Sequence, residues 1–490
     1  MTKTIKTKTF QKVKVEAIFL VIVVIGSSAA VIGSMMAGLV ASSPTAINKN
    51  ILGLSKKPIK IHEIPAADTV ISFETDYLYV PRRSTAPNGK AVAIDDLNAD
   101  GRNDLVVAMD GFHDDEDENK VHIFLQDESH QLVHAGKYAE TRGDSVDILD
   151  INNDSLLDIV TGYWDELVIF RQQTDGTFAP SYHDVLLDLE EYGAYYTPIV
   201  AAGDVKKSSK GEEIIVVDSL NLQQQDVKET GAVVLNFATE QEAYTKRVDI
   251  FSMDANNNIK KENSEFMRRQ HGADIEIADV NNDKLKDVVI LNSYSTWNSN
   301  AAYAPNIGVL NQTKTGFAPA EYYYILDSTC TEGNNDSDTM VVESGDVNSD
   351  GRIDLVVGFG GNSEDGPYAC GAPPSRIALL YQNQKGKFDA PFMVKSHDIP
   401  SSLAVGDING DRFEDIVVFH NGQKESIGIY LQKNGQLYEE QLFVPPAGGL
   451  DSWNPSAVAI GDLNSDKKNE VIIADNDVII ELYNFKEVPK

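Results

Sequence analysis

Short apolar runs alternate with polar positions along most of this chain. "AVAIDDL", starting at Ala91, enters an oxygen-rich loop, and "DLVVAMD", starting at Asp104, leaves it. "KVHIFLQD" and "QLVHAGKYAE" follow. A period of two predicts strands, here four short ones joined by turns. The next stretch repeats the arrangement with "SVDILDI", "DIVTGYW", "ELVIFRQ" and "FAPSYHDV". The turn between the third and fourth strands is marked by "TDGTFAP" (Thr174 to Pro180), "KTGFAP" (Lys314 to Pro319) and "KGKFDAP" (Lys385 to Pro391). There Gly supplies the turn, Phe can enter an apolar layer between sheets, and Pro suits an outer strand that needs no donor.

The acidic loop itself recurs. "DLNADGRNDLVVA" at Asp96 returns as "DINNDSLLDIVTG" at Asp150, "DVNNDKLKDVVIL" at Asp279 and "DVNSDGRIDLVVG" at Asp346. "DINGDRFEDIVVF" at Asp407 and "DLNSDKKNEVIIA" at Asp462 follow, and a worn copy, "DVKKSSKGEEIIVVD", begins at Asp204. The first aspartates are spaced by 54, 54, 75, 67, 61 and 55 residues, which makes seven copies of one unit. A lone four-stranded sheet cannot cover both its faces, so the copies must stack. Seven stacked radially predict an all-β, seven-bladed β-propeller of four-stranded antiparallel blades. After "VIIELYNF" only "KEVPK" remains, too little for a good fourth strand. The strand-like "TVISFETDYLYV" (Thr69 to Val80) upstream of the first copy is expected to complete the seventh blade and close the ring.

Each intact loop places oxygens at positions 1, 3, 5 and 9. These are Asp96, Asn98, Asp100 and Asp104; Asp150, Asn152, Asp154 and Asp158; Asp279, Asn281, Asp283 and Asp287. The later copies supply Asp346, Asn348, Asp350 and Asp354; Asp407, Asn409, Asp411 and Asp415; Asp462, Asn464, Asp466 and Glu470. Side chains at 1, 3 and 5 of a tight turn can converge, with the carbonyl of position 7 nearby and position 9 closing the cage. Such a mixed oxygen shell suits Ca2+, whereas zinc would want His or Cys. The plainer alternative is a set of Asx-turns in which Asp and Asn only bond the backbone; six repetitions favour calcium. Gly stands at position 6 only at Gly101 and Gly351, so Ser155, Lys284, Arg412 and Lys467 must tolerate the turn or the loop must relax. The worn copy has Lys206 and Ser208 at positions 3 and 5, and no calcium is expected there.

These loops, followed by "GFAP" or "TFAP", resemble the FG-GAP/VCBS repeats of integrin α-subunit propellers and of exported bacterial proteins. The resemblance covers roughly 69–490. It implies calcium held between strands one and two of each blade, and it leaves the function open among adhesion, lectin activity and polysaccharide cleavage.

Composition narrows the partners. The formal charge of −33 on 490 residues excludes nucleic acid as a natural ligand, since phosphate binding needs clustered Lys and Arg. One divalent cation in each of six loops would bring that charge to −21. Lys3, Lys6, Lys8, Lys12 and Lys14 precede an uncharged stretch from Ala17 to Val40, long enough as a hydrophobic helix to span a bilayer. Ser27-Ser28-Ala29 also offers a cleavage site. Residues 1–41 therefore read as a transmembrane anchor or a cleaved signal peptide, 42–68 as a tether and 69–490 as the propeller. Both readings place the propeller outside the cytoplasm, secreted or membrane-anchored, with membrane contact only through the N-terminal segment. In an exported chain the two cysteines, Cys330 and Cys370, are expected to form a disulfide.

The first functional reading is a binding module for a carbohydrate or a surface protein. Antiparallel order puts the calcium turns on one face, and Trp164, Trp297 and Trp453 in connections on the other. Exposed aromatics beside polar groups suit such partners, although these rings could equally pack between blades. A polysaccharide lyase on the same propeller and a scaffold subunit of a surface assembly are the alternatives. No H-E-x-x-H, G-x-S-x-G or phosphate-cradling loop is present, and catalytic residues are not assigned.

Overall fold

The computed structural model describes residues 61–79, 88–110, 120–140, 145–163, 166–184, 198–206, 211–217, 245–254, 258–268, 271–293, 307–323, 325, 339–359, 375–421, 425–445, 457–475 and 478–490. These form seven antiparallel sheets of four strands each, six of them consecutive in sequence. Blade 1 runs Asn88–Asp95, Asp104–Asp110, Lys120–Gln126 and Leu132–Glu140. The innermost strands of blades 2 to 7 are Val146–Leu149, Ile199–Gly203, His271–Ala278, Thr339–Gly345, Ile399–Gly406 and Ala457–Gly461.

Second strands are apolar almost throughout. Asp354–Phe359 and Glu213–Val217 are buried at every position, because a neighbouring sheet covers each of their faces. The packing resolves into seven apolar clusters, each shared by two adjacent blades. Blades 1 and 2 share Val106, Val121, Ile159 and Phe170, for example. Blades 7 and 1 share Leu105, Val107, Met109, Phe124, Ile472 and Ile479, so the ring is closed by the same kind of layer that builds it. The turn phenylalanines enter these layers as the pattern predicts. Phe178 meets Tyr138 of the preceding blade edge-on at 5.4 Å, and Phe388 meets Tyr323 at 5.2 Å.

Blade 7 takes its fourth strand from the start of the propeller. Thr69–Tyr79 pairs antiparallel with Val478–Pro489, from Thr69↔Pro489 to Tyr79↔Ile479, with register shifts between Ser72 and Glu74 and between Tyr77 and Tyr79. Glu487 secures the join by accepting from Thr69 Oγ1, Lys433 Nζ and, at 3.3 Å, Asn409 Nδ2.

Residues 61–68, within the stretch read as a tether, lie along the outer strands. Ile61–His62 adds a parallel fifth strand to blade 5, opposite Met393 and Val394. His62 stacks on Phe392 with ring centroids 4.1 Å apart. The Pro65 carbonyl accepts from Glu439 N of blade 6, and the Asp68 carbonyl accepts from Lys490 N.

The transmembrane expectation is corrected. Among the described residues there is no helix, and none is long and apolar enough to cross a membrane. Apolar side chains there follow strand periodicity and are consumed between sheets, rather than forming the roughly 20-residue run a spanning helix needs. Residues 1–41 lie outside the described residues, so the expected N-terminal hydrophobic helix has no structural support.

Candidate functional site: the acidic loops and the opposite face

Each acidic loop is wound around its first aspartate. Asp96 Oδ1 accepts from Asp100 N at 2.9 Å and Oδ2 from Gly101 N at 2.7 Å. Asp279 does the same toward Asp283 N and Lys284 N, at 3.0 and 2.8 Å. Asp100 Oδ1 in turn accepts from Arg102 N. Such tight winding requires a left-handed backbone at two positions. Position 4 has φ of 56° at Ala99, 57° at Asn153, 63° at Asn282 and 59° at Ser349. Position 6 has 83° at Gly101 but also 69° at Ser155, 70° at Lys284, 74° at Arg412 and 69° at Lys467. The four non-glycine residues therefore tolerate the turn rather than relaxing the loop, at a cost of about 1–2 kcal/mol each.

Position 9 lies beneath the loop, fully or almost fully buried in all six intact copies. One oxygen of Asp104, Asp158, Asp287, Asp354 and Asp415 accepts from the backbone N of a glutamine at or two residues past the end of the third strand, at 2.8–2.9 Å. The other oxygen differs between blades. It accepts from the position-2 amide at 3.0 Å in Asp104 and 3.4 Å in Asp415, and Glu470 does likewise at 2.7 Å. In blades 2, 4 and 5, Asp158 Oδ2, Asp287 Oδ2 and Asp354 Oδ2 are buried with no hydrogen-bond partner. Asn281 Oδ1 and Asn348 Oδ1 are in the same condition. Burial, reinforced by the neighbouring loop carboxylates, pushes Asp158, Asp287 and Asp354 up to about 7 and Asp415 and Glu470 up to about 8.

Unpartnered, buried carboxylate and amide oxygens are what a hard cation seeks, so the donor set of blades 2, 4 and 5 fits calcium in kind. Among the described residues, however, no three acidic or histidine side chains converge as a preformed metal cage. In the worn copy Lys206 turns its ammonium to Glu262 Oε2 at 2.6 Å. Hydrogen bonds from Lys206, Lys260 and Ser252 hold the Glu262 carboxyl down to about 2.

The loops also tie the blades together, a role not evident from one repeat alone. Each is gripped near its start by the following blade. Gln172 Nε2 donates to Leu97 O at 2.7 Å, and Glu212 Oε2 accepts from Asp150 N at 3.0 Å. Gln312 Nε2 reaches Asp204 O at 3.5 Å. Gly386, for which a Cβ would overlap the Asn281 carbonyl, fits against the blade 4 loop. Gln432 Nε2 and Glu414 Oε2 hold the backbone of Asp346 at 3.2 and 2.5 Å. Asn469 Nδ2 donates to Asp407 O at 2.9 Å, and Asn103 Nδ2 to Asp462 O at 3.1 Å. Sequence reading missed this set. Its signal was there: a buried glutamine, Gln126, Gln172, Gln312, Gln382 or Gln432, stands at or two residues past the end of the third strand.

The two faces of the ring differ. Third-to-fourth turns such as 127–131 and 173–177 are short and share a face with the acidic loops. At the opposite face the described strands break off before 111–119, 185–197, 218–244, 294–306, 326–338, 360–374 and 446–456, which lie outside the described residues. Trp164, Trp297 and Trp453, expected in connections of that face, and the expected disulfide partners Cys330 and Cys370 lie outside the described residues.

Three stretches, 96–161, 346–418 and 407–473, match the FG-GAP-like repeat family. The chain is a seven-bladed propeller, and these three stretches of it resemble FG-GAP-like repeats. No curated protein matches it. Among solved structures it is similar to BBS1N in complex with ARL6DN, at 10% identity over 87% of this chain and 98% of that one, with a TM-score of 0.46. It is also similar to an Agrocybe aegerita lectin that recognises non-reducing terminal N-acetylglucosamine, at 12% identity over 80% and 86%, with a TM-score of 0.40. Neither likeness is close enough to bear on a ligand.

Proposed function

We propose that this chain is a recognition propeller that binds a carbohydrate or a surface protein through the face opposite its acidic loops. The observation that carries this reading is the asymmetry of the ring. One face is closed by short turns bonded to themselves and to the next blade. At the other, the described strands are interrupted by the longest stretches outside the described residues, among them those that contain Trp297 and Trp453. Long connections on a rigid scaffold are where binding residues concentrate. Calcium in the acidic loops is part of the proposal, and the unpartnered oxygens of Asp158, Asp287 and Asp354 support it. There the cation would neutralise buried carboxylates and stiffen the turns that join the blades.

The test is a screen of the full chain against a glycan array and a panel of surface proteins, followed by tryptophan fluorescence titration of each hit. Trp297→Ala and Trp453→Ala should weaken binding with little change in melting temperature. Unaltered affinity in both variants, together with a large loss of stability, would place these rings in the core and overturn the proposed site.

A further inference from the structure

The seven innermost strands neighbour one another in chain order, and Asn88–Asp95 lies beside both Val146–Leu149 and Ala457–Gly461, so they ring a common axis. An innermost strand is an edge. Its second strand takes one row of backbone groups, and the other row faces the axis. Side chains of the preceding blade meet part of that row. Ser145 Oγ and Asp147 Oδ2 accept from Val200 N and Ala202 N, each at 2.8 Å. Asp274 Oδ2 accepts from Val342 N at 3.0 Å, and Ser402 Oγ from Val458 N at 3.1 Å. Glu276 Oε1 accepts from Ser344 Oγ at 2.6 Å. These side chains therefore lie along the axial wall. At its acidic-loop end the wall closes up: a Cβ on Gly345 or Gly406 would overlap Val405 or Ile460 of the next blade.

Four carboxyls share this wall: Asp147 of blade 2, Asp274 and Glu276 of blade 4, and Glu343 of blade 5. The charge of Asp147 reaches Glu276 although blade 3 stands between their blades, so the two face one space. Glu343 is enclosed by protein, yet solvent still touches it. Among the described residues no donor bonds its carboxyl, and the charges acting on it are those of Glu276 and Asp274, both of its own sign. Burial pushes Asp147 up to about 6, Asp274 and Glu276 up to about 7, and Glu343 well above its ordinary range. Lys286 offsets part of this at Glu276.

Enclosed carboxyls of one sign, one of them without a donor, lack a cation. They come from three blades, and no three acidic or histidine side chains among the described residues converge as a metal cage. A primary ammonium suits such a spread, because its three N–H donors can reach separate acceptors. We infer that the axial channel takes a primary alkylammonium group, of the kind that ends a lysine side chain, held by Glu343, Glu276 and Asp274. Its place in recognition rests on the function proposed above. The site itself is tested with a small cation, so it stands or falls apart from the stretches bearing Trp297 and Trp453.

The measurement is equilibrium dialysis of the full chain against n-pentylammonium in about 150 mM NaCl, which screens the exposed carboxylates. Pentanol, the same alkyl chain without the charge, is the comparison. One saturable site is expected for the ammonium and none for the alcohol. Glu343→Gln should weaken the site about tenfold. Glu128→Gln, the same change of charge on an exposed turn, should leave it unaltered. No saturable binding, equal binding of the alcohol, or an affinity that Glu343→Gln does not lower beyond Glu128→Gln would overturn the site. Should Glu343→Gln fail to fold, wild-type crystals soaked in 5-bromopentylammonium decide by anomalous scattering. Bromine on the axis beside Glu343 supports the site, and its absence there refutes it.

Discussion

Gln432 donates its side-chain amide to the Asp346 carbonyl across the seam of blades 5 and 6, while its Oε1 accepts from Ser349 Oγ at 2.9 Å and Gly435 N at 3.0 Å. One fully buried amide thus fastens an acidic loop to the turn of the next blade. Gln432→Ala leaves several buried groups unpaired and should cost about 2–3 kcal/mol in urea unfolding. Gln436→Ala, on the exposed side of the same turn, should change stability by no more than about 0.5 kcal/mol.

Calcium added to chelated protein should raise the melting temperature, because an ion held only by the folded form stabilises it by linkage, about 2.7 kcal/mol per site at a hundredfold excess over Kd. Asp279→Ala should lower the bound calcium by one site in elemental analysis. Asp204→Ala should leave that count unchanged, since Lys206 already brings a cation to the worn loop. No bound calcium and no shift in melting would remove the ion from the proposal.

The pH dependence of the calcium-free protein has a definite sign. Burial raises the position-9 carboxyls to about 6 at Asp104, about 7 at Asp158, Asp287 and Asp354, and about 8 at Asp415. A raised acid binds its proton more tightly when folded, so the folded state carries more protons than the unfolded one from about pH 4 to 8. Stability in chelator should therefore fall as pH rises through 6 to 8, and be greater near pH 5 than at pH 8. Saturating calcium should flatten that fall. Urea midpoints at the two pH values, with and without calcium, check it.

Lys284 and Gly351 occupy the same left-handed position in different blades, at φ of 70° and 79°. Gly351→Ala should cost about 1–2 kcal/mol, although an added Cβ would meet nothing there. Lys284→Gly should stabilise by up to about 1 kcal/mol, relieving strain at the expense of a more flexible unfolded chain. Opposite changes of urea midpoint, the loss larger than the gain, would confirm that backbone strain, rather than contact, sets the residue.

What the sequence disclosed follows the range of each interaction. The acidic loops, the Phe178 turn and the closing strand at Thr69 are written in local patterns that repeat, and repetition amplifies a weak signal. The glutamines were harder to see. They follow the position-9 aspartate by 14, 17, 22, 25 and 28 residues, because the connection between the second and third strands varies in length. Ile61–His62 carries no strand pattern of its own, and only the exposed edge of blade 5 makes it one. His420 lies on a second strand and Glu440 just before a fourth, and they meet only because Gly428 leaves room.

Thr69 bonds Glu487, 418 positions further along. During synthesis the first strand of the propeller emerges without a partner and waits until nearly the whole chain has left the ribosome. Until then its edge is open to wrong pairings, and the ring is an incomplete arc with an apolar layer exposed at each end. A copy lacking Val478–Pro489 would be unable to seat Thr69–Tyr79 or close the layer between blades 7 and 1. Closure of the ring therefore hangs on one strand pair, whose two members lie at opposite ends of the propeller's sequence.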